Sequence, residues 1–409
     1  MNHAISPVNP AFYFVLMGLF ICEGWLLSRI IPFHRELDRK ELHGTHLLAL
    51  DGLRGVLALG VFFVHAIGYY YFQKTGVWDY PPSNFYSQMA IFPVTMFFFI
   101  TGYLFWSKLI RTSHIPALQF YYRRLGRLGP AYGFACLFFF FLVAIASHFH
   151  RNEPFHKIGV EALLWIAFIS PSHDINAIAN SKEWFGQAWT LRYEWMFYLL
   201  LPFLGWFARK RFRLVILLAA AAIFYTASTK VHLHGVAGKL EEIFGSYVFY
   251  LLFVFSVGMF VAILRPTEAW VKRARSRTAA LIALALVGFV LVLVKPHYGW
   301  LESIILALPF ACVCFGNNWL GLLTLKPLRF LGRISYSIYL LHLPFLIAGI
   351  FLIKKVCDIT AYNAIVYWAY MTLCGALTIV ASAYCYQYLE HPFLHLGRPK
   401  IKPVVQAAS

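Results

Sequence analysis

Long apolar runs recur from one end of the chain to the other, and they constrain its fold more than any other feature of the sequence. Of the 409 residues, 60% are hydrophobic and only 13% are charged, and the mean hydropathy is +0.66. A soluble domain of this size does not have such a composition, because its surface needs more charged side chains. The sequence therefore predicts an all-α polytopic membrane protein.

Eleven stretches are apolar over enough residues for each to be predicted as a transmembrane helix. The predicted spans are approximately 11–32, 50–72, 87–107, 128–148, 186–208, 214–229, 244–264, 278–295, 301–324, 334–353 and 362–388. The apolar stretch 159–170 is shorter than a bilayer requires, and we expect a re-entrant or interfacial element there. Because no Lys or Arg precedes residue 11, the first run lacks the basic start of a signal peptide, and we expect it to be retained.

Basic residues outnumber acidic ones by 35 to 17, and they are distributed unevenly among the predicted loops. If the N-terminus faces outward, most Lys and Arg side chains fall in segments on the inner side, which is typical of cytoplasmic loops. The sequence therefore predicts an N-out/C-in orientation. This explanation of the net charge of +18 requires no nucleic-acid partner, and no nucleic-acid-binding motif is found.

The seven cysteines do not suggest a disulfide framework, because six of them lie in apolar runs, where a thiol packs as a small hydrophobic group. Three histidines, His148, His150 and His156, cluster in a predicted outside loop. A metal site is one interpretation of this cluster. We favour a solvated loop or the rim of a ligand site, and we predict no metal cofactor.

Titratable residues inside the apolar runs are candidates for chemistry, because they are costly to place in hydrocarbon. In LDGLRGVLALGVFFVHA (50–66), Asp51 and Arg54 stand at the start of a predicted span and His65 lies well inside it. A spacing of eleven residues puts Arg54 and His65 on one helical face, about 16 Å apart along the axis. A snorkelling anchor for Arg54 and a hydrogen-bonded packing role for His65 are the simpler alternatives.

A basic cluster precedes the span predicted to begin at residue 128. In FYYRRLGRLGPAY (120–132), Arg124 and Arg127 are three residues apart and therefore neighbours on one helical face. Together with Arg54 they would form a cationic mouth suited to phosphate groups. Ordinary topological charge is the alternative.

Two further polar residues lie inside predicted spans, Glu194 in WTLRYEWMFYLLLP and His342 in LGRISYSIYLLH. Glu194 is about 12 Å from the outer end of its helix and His342 about 16 Å from the inner end, with the Tyr336 hydroxyl on the approach. A histidine paired with a carboxylate at such a depth can act as a general base on a hydroxyl. A salt bridge of Glu194 with Arg192 and a packing role for His342 are the alternatives.

Taken together, these segments resemble the acyltransferase-3 family of membrane O-acyltransferases. The matching segments, in chain order, are LDGLRG with Arg54 and His65, FFFITGYLFW (97–106), the Arg-x-x-Arg turn of Arg124 and Arg127, the Trp-x-Leu-x-x-Glu segment of Trp189, Leu191 and Glu194, LGRISYSIYLLH (331–342), and YLEHPF with Glu390. Each of these short matches alone is weak evidence for the family. The occurrence of all six in the family's order is specific.

The resemblance implies an acyltransferase domain with a ten-helix core over residues 50–398. An extra transmembrane helix and cytoplasmic linker would precede it at 1–49, and a short cytoplasmic tail would follow at 399–409. The resemblance also implies an acyl-CoA-dependent O-acyltransferase that moves an acyl group, most often acetyl, from cytoplasmic acyl-CoA to a hydroxyl of an envelope or extracellular glycan. Many relatives carry a further hydrolase-like domain, whereas here we expect the membrane domain alone.

Roles for individual residues follow from this resemblance. His65 would be the catalytic base, oriented or polarised by Glu194, and Arg54, Arg124 and Arg127 would bind acyl-CoA. The residues in supporting roles would be Asp51, Trp189, Tyr336, His342 and Glu390. Direct transfer to the acceptor and an acyl-histidine intermediate are both open, and we favour direct transfer.

The same buried polar groups would also suit a membrane carrier or flippase of a lipid-linked saccharide. Repeated halves with broken helices are typical of carriers, and the sequence shows no such repeat. A membrane subunit without activity is a third alternative, which the intact Arg54, His65 and Glu194 argue against. The acceptor, the acyl chain length and the oligomeric state are left open, and we expect a location in the bacterial cytoplasmic (inner) membrane among its lipids.

Overall fold

The computed structural model describes residues 6–40, 45–112, 116–171, 173–208, 212–228, 245 and 247–395. All regular structure within these ranges is helical, which confirms the predicted all-α class for the described chain. The tail predicted at 399–409 and the basic residues at 209–211 lie outside the described residues.

Each of the eleven predicted spans corresponds to a helix in the described chain. The helices are α1 (Pro10–Ile30), α2 (Pro32–Lys40), α3 (Thr45–Thr75), α4 (Asn84–Arg111), α5 (Ala117–Ala146), α6 (Phe155–Ile166), α7 (Trp189–Ala208), α8 (Arg213–Ser228), α9 (Val248–Ile263), α10 (Glu268–Ala274), α11 (Arg277–Leu293), α12 (Trp300–Cys314), α13 (Lys326–Arg333), α14 (Ser335–Lys354) and α15 (Ala364–Cys385). A 3-10 segment, Ser181–Ala188, leads into α7, and a π-helical turn, Tyr386–Glu390, follows α15.

Six helices of the described chain are long and apolar enough to cross a membrane, or seven if the bent pair α10 and α11 forms one span. Helices α8, α9 and α12 are apolar but shorter. The chain is therefore an integral membrane protein. The count of eleven crossings and the N-out/C-in orientation stay predictions.

The stretch predicted as a re-entrant or interfacial element lies in and just after α6. Glu161 and Trp165 are buried, whereas Val160, Leu163 and Ile166 are exposed. A short helix with an exposed apolar face suits a position along a membrane surface. Helix α6 is thus compatible with an interfacial position, which stays a prediction.

Two helices begin earlier than hydropathy predicts, and this shift changes the depth of the arginines. Helix α3 begins at Thr45 and α5 at Ala117, whereas their predicted spans begin at 50 and 128. Arg54 is therefore about 14 Å along its helix, and Arg124 and Arg127 lie about two to three turns inside α5. These two arginines therefore lie within the helix and not before it, because hydropathy marks only the apolar part of a helix. Their position relative to the membrane stays a prediction.

Helix α3 is packed against α13 backbone to backbone, and glycines permit the contact. A Cβ atom on Gly55 would lie 2.5 Å from the carbonyl oxygen of Leu328, and one on Gly332 would lie 1.7 Å from that of Asp51. Small residues allow such close approach in membrane helices. The glycines of the opening motif therefore fix Asp51 and Arg54 beside α13.

Helices α4 and α9 are joined in the same way. A Cβ atom on Gly102 would lie 2.4 Å from the carbonyl oxygen of Phe255, and one on Gly258 would lie 2.3 Å from that of Phe99. This contact holds α4, one wall of the cavity described next, against the rest of the bundle.

Candidate active site

A cavity of about 490 Å³ lies between α3, α4, α5, α7, α13 and α14. This volume is within the range of small-molecule sites in proteins. The polar and charged residues of its lining are Asp51, Arg54, Thr101, Lys108, Arg124, Arg127, Thr190, Glu194, Tyr198, Arg333, Ser335, Tyr336, Tyr339, Tyr386 and Glu390. Residues that the sequence analysis selected from five separate segments are thus brought to one site.

The three arginines predicted to bind acyl-CoA all line this cavity. Arg54 donates through Nη1 to Oδ1 of Asp51 at 3.3 Å. The opening motif LDGLRG therefore supplies both partners of this ion pair. The guanidinium of Arg124 lies 4.8 Å from the ring centroid of Phe105, and Arg127 is within electrostatic range of both other arginines. Guanidinium groups held this close repel one another, and an anionic ligand would relieve that repulsion.

Glu194 lies among the arginines and not beside His65 as the sequence analysis expected. Its carboxylate accepts a hydrogen bond from the hydroxyl of Tyr198, one turn along α7. It is also within electrostatic range of Arg54 and Arg124. Its expected place beside His65 rested on depths counted from predicted span ends, whereas α3 and α5 begin before those ends.

His65 and His342 form a direct contact between α3 and α14. Nδ1 of His65 lies 2.9 Å from Nε2 of His342 and 2.9 Å from the carbonyl oxygen of Val61. Nδ1 of the fully buried His342 lies 3.1 Å from the carbonyl oxygen of Ile338 and donates to it. His342 therefore accepts at Nε2, His65 donates from Nδ1, and Nε2 of His65 carries its lone pair.

Tyr339 connects the cavity with this histidine pair. It lines the cavity, and its ring centroid is 6.0 Å from that of His342. Its hydroxyl donates to the carbonyl oxygen of Gln187 at 2.8 Å and lies 2.6 Å from the hydroxyl of Thr190. His342 and His65 are not among the residues that line the cavity, and they lie directly beyond Tyr339.

The remaining residues predicted to have supporting roles separate into two groups. Tyr336 and Glu390 line the cavity, where Tyr336 donates to the carbonyl oxygen of Leu128 at 3.0 Å and Glu390 accepts from the hydroxyl of Ser337. Trp189 begins α7 and packs among aromatic rings away from the lining. Trp189 therefore does not contact the cavity that its neighbour Thr190 lines.

Several residues of the lining were not predicted from the sequence. Lys108 and Arg333 were counted only as topological charges, because nothing in the sequence distinguishes them from other basic residues at helix ends. Tyr198 follows Glu194 by four residues, and that spacing was a usable signal for a contact on one helical face. Tyr339 lies in the segment LGRISYSIYLLH of α14, and no site role was predicted for it.

The histidines of the predicted outside loop lie apart from the cavity. Nδ1 of His150 is 3.0 Å from the carbonyl oxygen of His148, a local contact within the loop. Across the ranges that the structure describes, no three His, Cys, Asp or Glu side chains are grouped so that they could hold a metal ion.

Sequence comparisons give this site a context. The profile of a family described as an acyltransferase domain matches residues 47–387. The O-acetyltransferase OatA of Staphylococcus aureus (strain NCTC 8325 / PS 47) is 26% identical over 331 residues, covering 74% of this chain and 51% of OatA. YrhL of Bacillus subtilis (strain 168), which carries an assignment as a peptidoglycan O-acetyltransferase, is 25% identical over 395 residues, covering 88% of this chain and 56% of YrhL. The chain thus spans about half the length of these curated relatives. No solved structure matches it.

Proposed function

The chain belongs to the acyltransferase-3 family, and we propose that it is a membrane O-acyltransferase that moves an acetyl group from acyl-CoA to a hydroxyl of an envelope glycan. The observation that carries this proposal is one cavity that combines three arginines with a tyrosine in contact with a histidine pair. The names of the relatives favour acetyl as the acyl group and a cell-wall glycan as the acceptor.

On the donor side, Arg54, Arg124 and Arg127 would hold the phosphates of acyl-CoA. Planar guanidinium groups form paired hydrogen bonds with phosphate oxygens and stay charged in a partly buried site. The apolar part of the lining, which includes Phe97 and Phe105, would contact the pantetheine arm and direct the thioester toward Tyr339. Glu194 would balance the arginine charges on this side.

On the acceptor side, His65 would act as the general base. Its Nε2 removes the proton of the acceptor hydroxyl, and the hydroxyl oxygen attacks the thioester carbonyl carbon. The carbon–sulfur bond then breaks, and the imidazolium returns its proton to the leaving CoA thiolate. His342 supports this cycle, because its contact with Nδ1 of His65 fixes the tautomer in which Nε2 is basic.

The proposed orientation places the arginine side of the cavity toward the cytoplasm, where acyl-CoA is present. The acceptor would then approach the histidine pair from the opposite side of a bacterial cytoplasmic membrane. The basic inner loops that the sequence predicts support this arrangement.

The test is release of free CoA from acetyl-CoA by the purified protein in nanodiscs, with a crude envelope glycan fraction as acceptor. We expect acceptor-dependent release from the wild type and from a His148→Ala control, and none above background from His65→Ala. No release from any variant, together with no thermal stabilisation by CoA, would overturn the proposal. That outcome would favour the saccharide carrier.

A further inference from the structure

His65 keeps part of its side chain accessible, although it does not line the arginine cavity. Its neighbours Val64 and Ala66 are buried, whereas His65 itself is only partly buried. It is not among the residues that line the cavity, and its contact with His342 lies beyond Tyr339. The accessible part of His65 therefore opens to a space other than the one that the arginines surround.

The side chains that follow His65 along α3 form an aromatic cluster with a tryptophan of the next loop. Tyr69 and Phe72 lie about one and two turns beyond His65. They are thus on the side of His65 away from Arg54. The ring centroid of Trp78 is 5.0 Å from that of Tyr69 and 5.6 Å from that of Phe72. It is also 6.2 Å from that of His65, and the planes of these two rings differ by only 18°.

The turn that ends α3 fixes Trp78 in this cluster. Gly76 has a φ of 71°, in the left-handed region that favours glycine, and its N–H donates to the carbonyl oxygen of Phe72 at 2.9 Å. Oγ1 of Thr75 accepts from the N–H of Val77 at 3.2 Å. The side chain of Val77 is exposed, whereas Trp78 is partly buried. The chain therefore folds back onto α3, and the Trp78 ring keeps part of its surface accessible.

Two polar groups adjoin the aromatic cluster. The hydroxyl of Tyr69 is buried and has no hydrogen-bond partner among the described residues, which is an unfavourable state for a polar group. Glu183, on the 3-10 segment before α7, is partly buried and within electrostatic range of Tyr69. The cluster thus combines an aromatic surface with a hydroxyl and a carboxylate, and a hydroxyl-bearing ligand beside Trp78 would suit all three.

We propose that Trp78 and Glu183 form the acceptor subsite, in which a sugar ring stacks on the Trp78 indole and presents a hydroxyl to His65. This inference rests on the proposed function and assigns a surface to its glycan acceptor. The C–H groups on one face of a sugar ring suit the electron-rich face of an indole, and the sugar hydroxyls are donors for a carboxylate. The acyl donor and the acceptor then approach the histidine pair from opposite sides.

The experiment compares Trp78→Leu, which keeps an apolar side chain without a ring, with Trp78→Phe, which keeps a ring. CoA release is measured in nanodiscs at increasing concentrations of the crude envelope glycan fraction, expressed as total sugar. Trp78→Leu should raise the acceptor KM about tenfold, the size expected when a stacking contact is lost, and leave the KM for acetyl-CoA unchanged. Trp78→Phe should raise the acceptor KM by no more than about threefold.

Two further variants complete the experiment. Glu183→Gln should also raise the acceptor KM and not the KM for acetyl-CoA, because an amide oxygen accepts more weakly than a carboxylate. Trp300→Leu is the matched control, since Trp300 is an exposed tryptophan at the start of α12 and its ring packs on Tyr225. It should leave both KM values unchanged.

Thermal stabilisation by CoA shows that a variant is folded with an intact donor side. An unchanged acceptor KM in folded Trp78→Leu would overturn the inference, and faster acceptor-independent CoA release in that variant would then make Trp78 a cover against water. If Trp78→Leu is not stabilised by CoA, Glu183→Gln decides, and an unchanged acceptor KM there would overturn the inference. If the wild type itself releases no CoA from acetyl-CoA, the proposed function fails instead.

Discussion

At the scale of single residues, the main finding is that a second histidine, and not a carboxylate, is the partner of His65. A histidine–carboxylate pair would stabilise an imidazolium, whereas the neutral His342 mainly fixes which nitrogen of His65 is basic. The two residues are 277 positions apart and meet only because α3 and α14 pack together. Sequence reasoning selected both residues and had no means to pair them.

The first prediction concerns this contact. His342→Ala should lower kcat about a hundredfold and leave the KM for acetyl-CoA unchanged, because the base loses its orientation while the arginine site stays intact. His342→Gln should retain more activity, since its amide oxygen is able to accept from Nδ1 of His65. Steady-state CoA release measures both constants. A wild-type kcat in His342→Ala would show that the pair has no part in the reaction.

At the scale of the helices, close packing of α3 on α13 explains why LDGLRG contains glycines. The motif brings Asp51 and Arg54 to the cavity only because Gly55 lets α3 touch the backbone of α13. The late motif contributes Gly332 to the same contact from the other helix. Two segments that sequence analysis treated as separate matches are therefore halves of one packing unit.

The second prediction tests this unit. Gly332→Ala should lower the melting temperature in nanodiscs and abolish most CoA release, since its Cβ would collide with the backbone of Asp51 and overpacking costs about 1–3 kcal/mol. Gly133→Ala is the matched control, because nothing lies within 4 Å of its Cβ position. Equal melting temperatures for the two variants would contradict the close contact.

The third prediction is a pH dependence of the docking of α2. Burial lowers the pKa of His34 to about 4 from its ordinary 6.5. In the docked state its Nδ1 is buried and has no hydrogen-bond partner among the described residues, so protonation there is unfavourable. The undocked state binds the proton first as the pH falls. The stability that docking contributes is therefore full above about pH 6.5 and is lost progressively between 6.5 and 4.

The measurement for this prediction is the melting temperature as a function of pH. His34→Gln keeps a donor to the carbonyl oxygen of Ala383 and has no titrating group at this position. Below pH 6.5 the melting temperature of the wild type should therefore fall relative to that of His34→Gln. A difference that is constant from pH 7.5 to 4.5 would show that His34 does not titrate in this range.

At the scale of the whole molecule, hydropathy predicted each of the long apolar helices, because apolar runs in a membrane protein have few alternatives to helices. It did not indicate α13, the short helix that packs on α3 and contributes Gly332 and Arg333 to the cavity lining. Hydropathy also misplaced the starts of α3 and α5, because polar and charged residues, among them Arg123, Arg124 and Arg127 of α5, lie in the early turns of these helices. The cavity itself was not predictable, since Arg333 and Lys108 look like ordinary loop charges until the helices are packed. The match of motifs selected Glu194 as a candidate site residue, and only the packing placed it with the arginines.

The fourth prediction concerns orientation. In a variant without native cysteines, Lys272→Cys should be protected from a membrane-impermeant thiol reagent in intact cells, because the basic segment around it is predicted to face the cytoplasm. His148→Cys should react, since its loop is predicted to lie outside. The reverse labelling pattern would invert the proposed direction of transfer.

The central claim is that one cavity holds the acyl donor with its arginines and presents the thioester to the histidine pair. The most direct measurement is the location of CoA in a cryo-electron microscopy structure of the protein in nanodiscs. We predict phosphate density against Arg54, Arg124 and Arg127, with the thiol end beside Tyr339 and closest to His65 and His342. CoA density elsewhere on the protein, or a thiol end directed away from the histidines, would contradict the account.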